Sequence, residues 1–133
     1  MPRPFWRGII VLKEKPESLL VSSYSFLVKH ISLSLPKYEL YEEGSQVRRS
    51  SKGVCSSIVE GYGRRRYKND FIKFLIYAQA SCDETELHLN FIHESGHISV
   101  AVFRELLEEN DKVGRKINSF IQYVESHWNE EAR

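Results

Sequence analysis

The sequence predicts an all-α protein, an antiparallel up-down-up-down four-helix bundle. Three observations carry this reading. Apolar residues recur at steps of three and four along four segments, as in helices with one buried face. No segment sustains the apolar–polar alternation of a strand. The breaks between segments are short, which makes successive helices antiparallel neighbours. With 133 residues the chain has the length of one domain. It divides into an N-terminal arm, residues 1–15, and a bundle, residues 16–133.

The arm fits no helix, and Phe5, Trp6 and the apolar run 9–12 suit packing on a neighbour. Pro16 and Glu17 open the first helix, proline because its φ suits the first turn, the acid because it complements the helix dipole. Leu20, Tyr24, Leu27 and Ile31 form its stripe, and Pro36 closes it. The second helix starts between Glu39 and Ser45. Its stripe is Val47, Ser51, Val54 and Ile58, small enough for a neighbouring helix to approach closely. Gly61 and Gly63 are expected to end it through the left-handed conformation that glycine reaches without a Cβ clash. The third helix has Asn69 as N-cap and Asp70 in its first turn. Phe71, Leu75, Ala78, Cys82, Thr85, Leu89 and Ile92 follow in heptad rhythm, the pattern of a left-handed bundle seam. Gly96 stops it. Ser99 caps the fourth helix, which carries Phe103, Leu106, Asn110, Val113, Ile117, Phe120 and Val124, with Trp128 closing it.

The net charge is +1, but unevenly laid out. Residues 46–68 hold Arg48, Arg49, Lys52, Arg64, Arg65, Arg66 and Lys68 against a single acid, Glu60, while the chain beyond residue 80 is acidic on balance. Such a layout gives one region a positive potential in a near-neutral protein, or else two solvated faces that attract one another. Apolar runs are too short for a membrane span, and the run 9–12 is too short for a signal peptide. Cys55 and Cys82 have neither zinc nor disulfide-framework spacing. The expectation is a cytoplasmic protein with no membrane partner.

Four motifs invite chemistry. The stretch EGYGRRRYKND, residues 60–70, has the look of a phosphate loop. Such loops follow a strand, whereas here a helix precedes the glycines, and a third glycine is missing. His93-Glu94-Ser95-Gly96-His97 spells HExxH, which binds zinc only on an unbroken helix, and Gly96 falls where the helix should stop. Asp83, Glu84, Glu86, His88 and Glu94 form an acidic face, yet a bundle di-metal site would need two ExxH pairs from different helices, and the sequence has one, Glu94–His97, interrupted by Gly96. Cys82 lies on the core stripe, which points to packing rather than nucleophilic chemistry. No catalytic residue, metal ligand or cofactor is therefore assigned. Tyr62 and Tyr67 flank the arginine triplet, an arrangement that suits either base stacking beside phosphate contacts or plain helix-end anchoring.

The stretch SQVRRSSKGVCSSIVEGYGRRRYKNDFIKFLIYAQASCDETELHL, residues 45–89, resembles the four-helix-bundle family of 23S ribosomal RNA intervening-sequence proteins, to which accessory proteins of diversity-generating retroelements are related. Gln46, Arg48, Arg49, Ile58, Glu60, Gly61, Gly63, Arg64, Phe71, Phe74, Leu75, Ala78, Ser81, Glu84 and Leu89 match its pattern. LPKYELY, residues 35–41, resembles the family's entry to helix two. Ser50 and Ser51 stand where the pattern has alanines, Cys55 where it often has proline, and Ser57 where it has asparagine. Lys52 and Gly53 also depart from it.

The resemblance implies a bundle that assembles as a homopentamer and gives Glu60, Gly61, Gly63 and Glu84 structural roles. It also implies that RNA, DNA and a reverse transcriptase are possible partners. Glu84 is expected to pair with a helix-two arginine, and Arg64 with Glu60 or Glu84. The functional expectation is a non-catalytic accessory protein that holds RNA or an RNA–DNA hybrid. Its phosphate contacts would be Arg48, Arg49, Lys52, Arg64, Arg65, Arg66 and Lys68, with Arg65 and Arg66 the freest. The alternative is a structural scaffold whose arginines bridge helices and subunits.

Overall fold

A computed structural model describes the backbone of residues 20–131 and the side chains of residues 27–127. The arm 1–15, the helix start at Pro16 and Glu17, and the side chains of Leu20, Tyr24 and Trp128 lie outside them. Five helices follow in order: α1 (Leu20–Leu33), the single turn α2 (Lys37–Leu40), α3 (Glu43–Gly63), α4 (Lys68–Glu94) and α5 (Val100–Glu131). Among the described residues there is no strand. The four long helices pack in a closed cycle, α1 on α3, α3 on α4, α4 on α5 and α5 on α1. Two contacts fix the two ends of the bundle. Tyr38 of α2 hydrogen-bonds His97 of the α4–α5 turn at 3.1 Å. Lys68, at the start of α4, donates its Nζ to the Glu125 carbonyl of α5 at 2.8 Å. The arrangement is up-down-up-down, as the short connections require.

The α4 stripe is buried in full: Phe71, Leu75, Ala78, Cys82, Thr85, Leu89 and Ile92. It meets Leu106, Val113, Ile117, Phe120 and Val124 of α5, with Phe71 edge-on to Phe120 at 5.5 Å between ring centroids. In α1 the described residues of the expected stripe, Leu27 and Ile31, pack against the core, with the deepest burial one residue further on. Val28 and Ser32 are fully buried, while Leu27 and Ile31 are half-buried. Buried Ser32 accepts a hydrogen bond from the Arg48 guanidinium at 3.1 Å.

The small residues of α3 set its distance from α4. A Cβ on Gly53 would lie 3.0 Å from the Ser81 hydroxyl. Buried Ser50 accepts from Thr85 at 2.8 Å, so these two hydroxyls meet across the seam. Ser50 and Ser51 themselves donate to the carbonyls of Val47 and Arg48 one turn back in α3. Buried Asn110 ties the opposite seam by donating to the Cys82 carbonyl at 3.0 Å.

Two helix-end expectations need revision, and two hold. α4 begins at Lys68 with Tyr67 as its N-cap, so Asn69 lies inside the helix. The Phe71 N–H already bonds the Tyr67 carbonyl at 3.0 Å, which closes the first turn early. Gly61 and Gly63 do not end α3 by a left-handed turn, because the one described glycine with positive φ is Gly96, at 76°. Gly96 does end α4: its N–H bonds the His93 carbonyl and the His97 N–H bonds the Ile92 carbonyl, the paired bonds of a Schellman ending. Ser99 caps α5 as expected, its hydroxyl accepting from the Val102 N–H at 3.1 Å.

Candidate nucleic-acid interface

The basic residues of helix two do not form one patch. They divide between the flank of α3 and the α3–α4 turn at the end of the bundle. Lys52 and Arg64 are twelve residues apart, about 18 Å along a helix axis.

On the flank, Arg48 is half-buried and faces inward. Its two terminal nitrogens donate to the Ser32 hydroxyl and to the Leu40 carbonyl, the latter at 3.0 Å. It is a clamp that holds α1 and α2 against α3. Arg49 is exposed, hydrogen-bonds Gln46 at 2.8 Å and lies 3.8 Å from Glu84 of α4. Glu84 therefore does meet a helix-two arginine within the protomer. It also lies 3.5 Å from His88, whose other ring nitrogen contacts Glu43 at 2.6 Å. Of the acidic face, Glu84 and His88 thereby cross the α3–α4 seam. Lys52 is exposed one turn beyond Arg48 and Arg49.

At the turn, α3 runs to Gly63 and the Arg64 N–H bonds the carbonyls of Glu60 and Gly61. Gly61 is a packing residue. A Cβ there would sit 2.9 Å from the Phe74 Cβ and 3.1 Å from the Phe71 ring. Its bare backbone lets the start of α4 lie directly on α3. Gly63 has nothing within 4 Å of where a Cβ would stand.

Arg64, Arg65 and Arg66 are all exposed, and each guanidinium lies near a different aromatic ring: Phe74 at 4.9 Å, Tyr62 at 3.9 Å and Tyr67 at 5.9 Å. The ion pair of Arg64 is with Asp70, at 4.0 Å, rather than with Glu60 or Glu84. Glu60 faces solvent on the last turn of α3, and its backbone carbonyl, not its carboxylate, meets Arg64. Arg65 is less free than expected, because it also donates to the Tyr62 carbonyl at 3.0 Å. Lys68 is half-buried and anchors α4 to α5 through Glu125. The side chains that reach solvent are thus Arg49, Lys52, Arg64, Arg65 and Arg66, with Tyr67 beside them at 63% exposure.

The HExxH letters do not fall on one helical face. α4 stops at Glu94, His93 stacks on Phe103 at 4.1 Å, and His97 turns to Tyr38. Burial pushes the Cys55 thiol up to about 11. Cys82 rises to about 12, by burial first and then by the nearby Asp83 and Cys55. Thiols raised this far are protonated at neutral pH and are weak nucleophiles. Sequence reasoning placed Tyr62 and Tyr67 beside the arginine triplet but missed Phe74 under Arg64 and the inward direction of Arg48. The rings had a signal in the RRR–Y–F spacing, but Arg48 had none, since its partners lie on other segments.

Similarity to known proteins agrees with this architecture. The family model described as 23S rRNA-intervening sequence protein matches residues 21–119. Among solved structures, a protein of unknown function from the S23 ribosomal protein family of Bacteroides thetaiotaomicron superposes with a TM-score of 0.71 at 17% identity, over 77% of this chain and 95% of that one. No curated protein matches. At 17% identity the superposition speaks for the fold alone, while the family model spans most of the bundle: the chain belongs to the 23S rRNA-intervening sequence protein family.

Proposed function

We propose that this protein is a non-catalytic, oligomeric accessory factor that holds RNA, or an RNA–DNA hybrid, at the α3–α4 turn. The observation that carries the reading is the run Arg64–Arg65–Arg66, three exposed guanidinium groups at one end of the bundle, each beside its own ring. Rings that hold guanidinium groups outward reduce the ordering cost of meeting phosphate oxygens. Arg49 and Lys52 extend the positive surface along α3. Contacts of this kind add affinity and salt dependence with little sequence choice. A homo-oligomer, five-fold on the resemblance, multiplies a weak patch by avidity. The outer face of α4 supports self-association, because Ile76, Leu87 and Phe91 share it and each is more than 40% exposed.

A scaffold without nucleic acid is the second reading. It is favoured by Arg48 and Lys68, whose polar bonds are all directed into the fold. Fluorescence anisotropy with labelled RNA separates the two. Wild type should bind at low salt, and Arg65→Ala with Arg66→Ala should weaken binding to every sequence. The slope of log affinity against log salt should fall by about one for each phosphate that the variant no longer neutralises. No binding by wild type at low salt leaves the scaffold.

A further inference from the structure

We infer that the α3–α4 turn selects unpaired nucleotides, with a base stacked on the Tyr67 ring and the adjacent phosphates held by Arg65 and Arg66. The inference rests on the nucleic-acid reading above and narrows it to unpaired RNA, in preference to the RNA–DNA hybrid, which is a duplex.

Tyr67 occupies the N-cap position of α4, where serine, threonine, aspartate or asparagine would supply a capping oxygen. It makes no side-chain cap bond, and its backbone is extended, with φ −111° and ψ 107°. Its ring is 63% exposed at a position where capping and burial would both favour another residue. The other turn tyrosine, Tyr62, is half-buried and carries the Arg65 guanidinium at 3.9 Å, so one ring face is already covered. The Arg66 group stands 5.9 Å from the Tyr67 centroid, at the outer limit of such contacts. A flat partner can approach that ring while Arg66 turns to a phosphate.

Other exposed aromatics lack this setting. Tyr38 is bonded to His97, Tyr77 lies edge-on to Phe74 with Lys73 near it, Phe91 lies edge-on to His88, and Tyr41, 70% exposed, is followed by Glu42 and Glu43 rather than by arginines. Tyr67 combines high exposure with arginines immediately before it in the chain. Arg66 directly precedes Tyr67, and Arg65 beside it would exchange its exposed bond to the Tyr62 carbonyl for a phosphate oxygen. A duplex buries its base faces in its own stack, and only a single strand or an unpaired loop can offer one to a tyrosine.

The test uses the full chain, a short RNA strand carrying a fluorescent purine analogue whose emission falls on stacking, and the same strand annealed to its complement. Wild type should prefer the single strand and quench the analogue. Tyr67→Leu should weaken single-strand binding by roughly five- to hundredfold and abolish the quenching. Duplex affinity should stay within about twofold, and Tyr67→Trp should restore the preference and the quenching. Equal binding of strand and duplex, with Tyr67→Leu changing neither or both alike, overturns this inference while the basic-patch reading stands. Absence of binding to either form removes the nucleic-acid reading, and this inference with it.

Discussion

Gly61 and Gly63 share one motif and do different work. Gly61 lies against Phe71 and Phe74, where an added Cβ meets the Phe74 Cβ at 2.9 Å, too near its own backbone to swing away. Gly63 projects into open space. Gly61→Ala should therefore destabilise by about 1–3 kcal/mol, overpacking outweighing the gain in helix propensity. Gly63→Ala should be neutral, or stabilising by up to about 1 kcal/mol. Urea midpoints at one protein concentration would compare them, and equal midpoints would refute the packing role. The sequence shows two glycines at a helix end but not which one points at α4. That depends on the phase of α3 against a neighbour that starts at Lys68 rather than near Asn69. Arg48 is a similar case. Its charge is legible, yet its partners Ser32 and Leu40 lie sixteen and eight residues away.

At the level of the helix, the heptad rhythm makes α4 readable because its buried face is a straight seam, and every residue of that stripe is in the core. In α1 the deepest burial lies one position beyond Leu27 and Ile31, and buried Ser32 there accepts a bond from Arg48, which hydrophobic spacing does not register. Ends are legible where one residue type suffices, as at Ser99 and Gly96. At Tyr67 residue preference points to Asn69 instead. Gly96 has φ 76°, so a side chain there is strained even though nothing crowds it. Gly96→Ala is expected to lower stability by about 1–2 kcal/mol, with Gly96→Asn milder because asparagine tolerates that conformation better. A thermal melt in which both variants match wild type would show that the α4–α5 turn relaxes to another geometry.

For the whole molecule, the described bundle closes its core yet leaves Ile76, Leu87 and Phe91 on the outside of α4. A second copy of the chain is the expected cover. Light scattering after size exclusion should give a mass near five protomers, and Leu87→Lys should shift it towards the monomer. A wild-type monomer at micromolar concentration would exclude the ring and the avidity that goes with it.

The close seat of α4 on Gly61 also bears on the order in which the protein folds. α3 and α4 are joined by the turn 64–67 and share the most extensive interface, whereas α1 reaches α5 across nearly the full described chain. Short loops close at the lower entropic cost, so the α3–α4 hairpin should form before the ends meet. In stopped-flow experiments Gly61→Ala should then mainly slow folding, and Val28→Ala in α1 should mainly speed unfolding. The opposite partition would place the nucleus elsewhere. If the hairpin does lead, the three arginines are already presented together on a chain that has not finished folding, and a polyanion could meet them while the protein is still being made.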